Sequence, residues 1–471
     1  MTRSAPGPRR WPPPAGAAAL VLAVIAAYTG ALAGPFQFDD WWSIVDNPSV
    51  HSLSGWWQAL PGIRPLLKLV NTLNWLATPH ASGFRVVAIV LHATNALLLW
   101  ALLRRWLPVL APRSPRPAFA AFAVALLFAL HPAATEVVTY ASGRSLLLST
   151  TCMLAMLLAM PGPHTAAHTA PNAGAKPRRG SGVLAAAWFA AALAVRETAV
   201  VAPLAWLLLA RCGGLGWRQA LRPLAASAGV LAVAAIALAA TPGYHVFFAR
   251  SLEARPPGEQ LLGQLEAHAW LLSAPLPGRV LDIDPDLQVP AALAARHLLL
   301  LAGLAGTTAI AWWQRRQRPW IGFALAWYLL MLAPANSLLP RFDLGNDRHL
   351  YPALAGPLLL PALMLAALRL RAAAALLAIL ALAAGLRTGQ RNHDYRSELA
   401  LWQATITTSP GKARAWTNLG IARREAGDDD GAAAAWRCAL ALDPDYRQAA
   451  WNLATLAPRS AAVDPGCPQQ R

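Results

Sequence analysis

AAALVLAVIAAYTGALAGPFQFDDWWSIVDNPSV, residues 17–50, sets an apolar run directly against a pair of carboxylates. The first half is uncharged and close to the roughly 20 residues that a helix needs to cross a hydrocarbon core. The second half brings Asp39 and Asp40, followed at once by Trp41 and Trp42. The bland reading is a solvated loop in which Asp40 caps a short helix through WWSI. The alternative starts from repulsion: two adjacent carboxylates beside a low-dielectric medium resist double ionisation. One then has a raised pKa and serves as proton acceptor while the other stays charged.

Composition places this stretch in a membrane. Of 471 residues 56% are hydrophobic and 13% charged, against about a quarter charged in soluble domains. Apolar runs near 16–34, 83–103, 117–131, 145–160, 182–195, 198–211, 223–241, 296–313, 320–335, 351–369 and 372–387 predict an all-α polytopic protein of about eleven transmembrane helices. The first run reads as an uncleaved helix preceded by a cytoplasmic N-terminus at 1–15. The formal charge of +18 is dispersed in short clusters rather than gathered in one stripe, which argues against nucleic acid as a partner. Arg104, Arg105, Arg113 and Arg116, then Lys176, Arg178 and Arg179, then Arg211, Arg218 and Arg222 fall on one membrane face. Arg315, Arg316, Arg318, Arg369 and Arg371 fall there too, as the positive-inside rule requires.

The opposite face receives the loops at 35–82, 131–144, 242–295 and 336–350 and everything after 388. SLSGWWQAL (52–60) and EAHAWLLSAPLPG (266–278) are suited to lie in the interface. Segment 161–181 reads as a low-complexity loop and 457–471 as a disordered tail. Cys152, Cys212, Cys438 and Cys467 show no metal-ligand spacing; Cys438 and Cys467 share one side and could pair. In the C-terminal part, 391–456, Trp402 to Trp436 and Pro410 to Pro444 are each separated by 34 residues. That is the tetratricopeptide period, and Trp416, Leu419, Gly420, Ala432 and Ala439 fit its pattern. Such a short array buries too little alone, so it is expected to dock on the membrane domain or on a partner.

Charged motifs recur on the same outer face. Arg64 lies in GIRPLLKLVNTLNW (62–75), and His131, Glu136 and Arg144 lie in HPAATEVVTYASGRS (131–145). Arg196 and Glu197 lie in VRETAV (195–200), and Asp347 and Arg348 in LGNDRHLYPAL (344–354). Each has a dull alternative: Arg196–Glu197 as a local pair, His131 as the start of a turn before Pro132, Arg348 snorkelling to headgroups. Their convergence on one face, with His92 the main polar residue inside a span, disfavours a transporter, which places ionisable groups near the midplane. It suits chemistry on a lipid whose phosphate sits at the outer interface.

FDDWWSIVDNPSV, IRPLLKLVNTLNW, HPAATEVVTYASGRSLLL, VRETAVVAPLAWLLL and NDRHLYPALAGPLLL, in that order and before the 34-residue repeats, resemble the transmembrane and tetratricopeptide-repeat protein O-mannosyltransferase family, glycosyltransferases of the GT-C class. The resemblance implies a GT-C-type domain over 16–390, Asp39 and Asp40 as the catalytic pair, and a polyprenyl-phosphate-linked mannose as donor. It implies inverting transfer to Ser or Thr hydroxyls of exported proteins, which the repeats would dock. Arg64, His131, Glu136, Arg144, Arg196, Glu197, Asp347 and Arg348 become candidate substrate-binding residues, with no metal or other cofactor expected. Leu146 stands where members of the family carry an acidic residue after GRS, which counts against a secondary acidic role there. The Ala- and Arg-rich composition suggests a bacterial inner membrane with the site on the periplasmic side. Two further readings remain: a related transferase acting on lipid A or an envelope glycan, and a non-catalytic membrane scaffold with no reason to keep Asp39, Asp40 and the arginines together.

Overall fold

The computed structural model describes residues 13–163, 181–274, 281–337, 339–456 and 467. Every regular element among them is a helix. In hydrocarbon the backbone must satisfy its own hydrogen bonds, and Ala- and Leu-rich runs do so as helices at little entropic cost. Pro14, Pro65, Pro117, Pro257 and Pro319 each stand in the first turn, where a missing N–H leaves no bond unmade. The loop expected at 161–181 and the tail at 457–471 lie almost wholly outside the described residues, with Lys176, Arg178 and Arg179.

Among the described residues six helices are long and apolar enough to cross a membrane: Pro14–Ala33, Ala81–Leu110, Ala141–Ala159, Trp217–Ala240, Ala295–Trp313 and Leu370–Asp394. Pro117–Ala129 and Pro132–Thr139, bent by 52° at their break, would make a seventh if taken together. The expected eleven is not reached. Ser181–Val195 and Pro319–Leu332 are shorter apolar helices. The run at 198–211 opens as a 3₁₀ turn and is α-helical only over Ala202–Cys212. The run at 351–369 breaks after Ala353 and resumes as Leu359–Ala367, because Gly356 and Pro357 interrupt it.

Leu20, Trp106, Phe128, Leu157, Trp206, Phe323 and Leu359 come from seven of these segments and share one apolar core. His92 ties three of them, with Nδ1 on the Tyr351 hydroxyl (2.8 Å) and Nε2 on the Ala129 carbonyl (2.9 Å). By contrast Trp217–Ala240 and Ala295–Trp313 each bury 6% of their apolar window, and Leu370–Asp394 buries 11%. Val233, Ile236, Leu299, Trp313 and Leu382 are therefore exposed. Water would penalise such a surface and lipid tails would not. These apolar helices fit a multi-pass membrane protein.

The chain closes with four short helices, Glu398–Thr408, Ala413–Glu425, Asp429–Leu442 and Arg447–Ala454, stacked as successive hairpins. Ser397 and Asp428 cap two of them by accepting the backbone N–H groups of Ala400 and Gly431. Gly427 supplies the left-handed turn (φ 82°) before the third. A Cβ on Gly420 would run into the Trp436 indole, whose Nε1 donates to the Thr417 carbonyl at 3.0 Å. A disulfide joins Cys438 to Cys467. The unit is fastened to two loops, after Ser273 and after Leu332: Arg414 reaches Asp284 and, at 2.7 Å, Asp343, while Asp282 accepts from Thr408 (2.8 Å) and Ser409.

Candidate active site

The loop that carries Asp39 and Asp40 is anchored from three directions. From the long helix Ala81–Leu110, the buried Arg85 donates to the carbonyls of Gly34, Pro35 and Thr139. From the end of the helix Leu370–Asp394, the Tyr395 carbonyl accepts from Gln37 Nε2 (2.9 Å), and from the C-terminal unit the Glu398 carboxylate accepts the Phe38 N–H. The Phe38 ring meets Trp402 edge-on, centroids 5.1 Å apart. Phe38 needs this hold, since its φ of 46° lies in the left-handed region that a bulky residue seldom enters. The wide turn Trp41–Val45 follows, closed by Asp46 N–H donating to the Trp41 carbonyl at 2.7 Å.

This geometry gives the two aspartates different surroundings. Asp40 is 1% exposed, and both of its carboxylate oxygens are occupied. Oδ1 accepts from the Ser142 N–H and hydroxyl, both at 2.7 Å, and Oδ2 accepts from the Gln37 N–H at 3.2 Å. Burial pushes its pKa up to about 6 against the pull of these bonds and of Arg85. Asp39 is half-buried, its Oδ1 accepting from Trp42 Nε1 (3.0 Å) and its N–H donating to the Tyr140 hydroxyl (3.0 Å).

Arg348 is within electrostatic reach of both Asp39 and a set of arginines. Its Nη1 donates to the buried Glu136 at 3.1 Å. Burial works against its charge, but Glu136, Tyr140 and Asp39 overcome that and raise its pKa. Arg64, Arg196 and Arg341 lie within electrostatic reach of one another. Arg64 forks onto Glu197 (2.9–3.1 Å), and Tyr244 donates to the same carboxylate at 2.9 Å. Arg196 is buried and spends Nη1 on Ser145 (2.8 Å), leaving Nε without a partner. Burial, then Arg64, Arg341 and Arg348, press its pKa well down. Arg341 makes no side-chain hydrogen bond among the described residues; burial and the neighbouring Arg348 and Arg64 lower it to about 10. Burial and these arginines also keep His349 neutral, with Nδ1 on Asn336 (2.9 Å) and Nε2 unpartnered. Arg196, Thr198 and His349, with Ser149 and Thr150, line a cleft whose other walls include Leu146, Met153 and Met331. Buried cationic groups with unfilled hydrogen-bonding capacity, next to an apolar slot, suit an anion attached to a lipid.

Some candidates sit elsewhere. Arg144 is fully enclosed, donating to Asn74 and Asn71 and packed on the Phe84 ring at 4.5 Å. His131 caps the turn at Pro132 by accepting the Ala133 N–H at 3.1 Å. Asp347 accepts the Asp282 N–H at 3.0 Å and so braces the loop beside Arg348. Sequence reasoning missed Arg341, Arg85, Tyr140, Ser142 and Glu398. Only Arg341 carried a signal, as a lone cation three residues before LGNDRHL on the acidic face. Among the described residues no three His, Cys, Asp or Glu side chains gather as a metal site.

The chain is 30% identical over 155 residues to a protein O-mannosyl-transferase of Caenorhabditis elegans, covering 30% of this chain and 22% of that protein. It is 34% identical over 162 residues to protein O-mannosyl-transferase TMTC1 of Homo sapiens, covering 31% and 17%. Against protein O-mannosyl-transferase Tmtc3 of Drosophila melanogaster it is 31% identical over 170 residues, covering 30% and 18%. The match thus spans about a fifth of the length of these relatives. No family model matches the chain, and no solved structure matches it significantly. The relatives' names support a glycosyltransferase.

Proposed function

We propose that this protein transfers a hexose, mannose by analogy with the relatives' names, from a polyprenyl-phosphate donor to Ser or Thr hydroxyls of exported proteins. The supporting observation is the placement of Asp39, the less buried carboxylate, beside Arg348, itself within electrostatic reach of Arg341 and Arg196. The acceptor hydroxyl approaches C1 opposite the lipid phosphate and gives its proton to Asp39 as the new C1–O bond forms. The bond from C1 to the phosphate oxygen breaks, its electron pair stays on that oxygen, and the configuration inverts. The departing phosphate gains one negative charge, which Arg348, Arg341 and Arg196 stabilise in place. Asp40, with both oxygens engaged, positions the loop. Arg64 and Glu197 orient each other at the rim, and Glu136 holds Arg348. Arg144 supports the site from behind.

We read the domain as GT-C type and the C-terminal hairpins as tetratricopeptide units that present the acceptor. The Cys438–Cys467 disulfide suits an oxidising compartment, here the periplasmic face of a bacterial inner membrane. Glycopeptide mass spectrometry of envelope fractions tests the reading in wild type, deletion and Asp39→Asn strains. Hexose additions on Ser or Thr that disappear in both altered strains are expected. Changes confined to lipid A or polysaccharide would move the acceptor, and full rescue by Asp39→Asn would end the catalytic reading.

A further inference from the structure

At the end of the helices remote from Asp39, Leu110 closes one helix, Pro117 and Pro319 open two others, and Ala367 ends a fourth. Between them lies a cavity of about 300 Å³ lined by Arg113, Ser114, Arg318, Trp320, Leu363 and Met364. Its lining is part polar and part apolar. Arg113 donates to Gln317 with one of its five N–H groups, and the exposed Arg318 guanidinium has no partner among the described residues. Ser114 Oγ is shielded and makes no hydrogen bond. Arg116 steadies the wall by donating to the Ala366 carbonyl at 2.9–3.0 Å. No counter-ion is available within the chain segments that meet here: residues 81–135, 298–342 and 350–393 contain no Asp or Glu.

We propose that this cavity is a binding site for an anionic phospholipid of the surrounding bilayer. Its phosphodiester takes the Arg113 and Arg318 guanidinium groups and the Ser114 hydroxyl, and its acyl chains run along Trp320, Leu363 and Met364. A basic pocket between membrane helices at the interface has the chemistry for such a headgroup, while a zwitterionic lipid brings its own cation and gains less. The volume accommodates a glycerophosphate headgroup without moving the helices. The site is independent of the transfer reaction, and its test needs no activity.

The full-length chain is purified in mild detergent and titrated with phosphatidylglycerol or phosphatidylcholine, with retained lipid counted by native mass spectrometry. One phosphatidylglycerol per chain, preferred about tenfold over phosphatidylcholine, is expected. Arg113→Gln combined with Arg318→Gln should erase that preference. Arg315→Gln combined with Arg316→Gln removes the same charge outside the cavity and should leave it. Leu363→Trp, which keeps every arginine and fills the apolar half, should weaken retention. Equal retention of the two lipids, no retained lipid, or equal loss in both double variants would overturn the site.

Discussion

Arginine gathers at both ends of this helix array, under opposite conditions. Near Asp39 the guanidinium groups are enclosed or half-enclosed and several meet carboxylates: Arg348 with Glu136, Arg64 with Glu197, Arg414 with Asp284. At the far end Arg113, Arg315, Arg316 and Arg318 are exposed, in a region without a carboxylate. Desolvated cations are costly unless matched, so Arg64, Arg348 and Arg414 depend on carboxylates that other segments supply, while Arg196 and Arg341 keep bonding capacity unfilled. The second group is hydrated and follows from topology. The same residue type is thus enclosed among partners from distant segments at one end and left to solvent at the other.

Substitutions should divide along this line. The largest effect is expected for Asp39→Asn, which should lower hexose transfer about a thousandfold while leaving detergent thermal stability intact; retained transfer would remove the base from the mechanism. Next comes Arg348→Gln, which leaves Glu136 buried and unpaired and should cost about 3 kcal/mol in denaturant unfolding, together with most of the activity. An Arg348→Gln protein as stable as wild type would erase the distinction between the two ends.

Asp40 sharpens the comparison through pH. Its folded pKa of about 6 lies above the ordinary 3.8 because burial disfavours the charged form. The contribution of the neutral carboxyl to stability is therefore complete below about pH 4 and is lost as pH rises through about 6. Relative to Asp40→Asn, wild type should lose about 3 kcal/mol of unfolding free energy over that window and then level off. A wild type that instead gained stability over Asp40→Asn as pH rises would contradict the assignment. Glu398→Ala should cost about 1 kcal/mol and slow transfer, since Phe38 loses its N–H acceptor, whereas Glu398→Gln keeps an acceptor and should recover part of the loss. Smallest of all, Arg315→Gln at the far end should change stability by less than about 0.5 kcal/mol.

The difference between the two ends also explains what could be read in the sequence. The far-end clusters were legible because topology alone sets them, and FDD stood out because two carboxylates follow an uncharged run. The convergence of the loops at 35–82, 131–144 and 336–350 followed from the same alternation. Enclosure was not legible. Arg144 looks like its neighbours Arg196 and Arg348 in a linear pattern, and only Asn71 and Asn74, about 70 residues earlier, reveal it as a structural strut. Glu398 looked like an ordinary first-turn acid of a repeat helix, yet it reaches back to Phe38. The expected run at 351–369 is one of those not seen as a single helix, because hydropathy registers it whole while Gly356 and Pro357 decide where the helix can continue.

The contact from Glu398 and Trp402 to Phe38 spans 360 positions of chain. Ribosomes add about 5–20 residues per second, so the first loop waits on the order of half a minute before its last anchor is translated. During that interval Phe38 has no reason to hold a left-handed backbone, and Asp39 has no fixed bearing. A nascent polypeptide therefore crosses the membrane with its first loop unset, and the loop takes its shape only when Glu398–Thr408 arrives, as a late checkpoint in its own biogenesis.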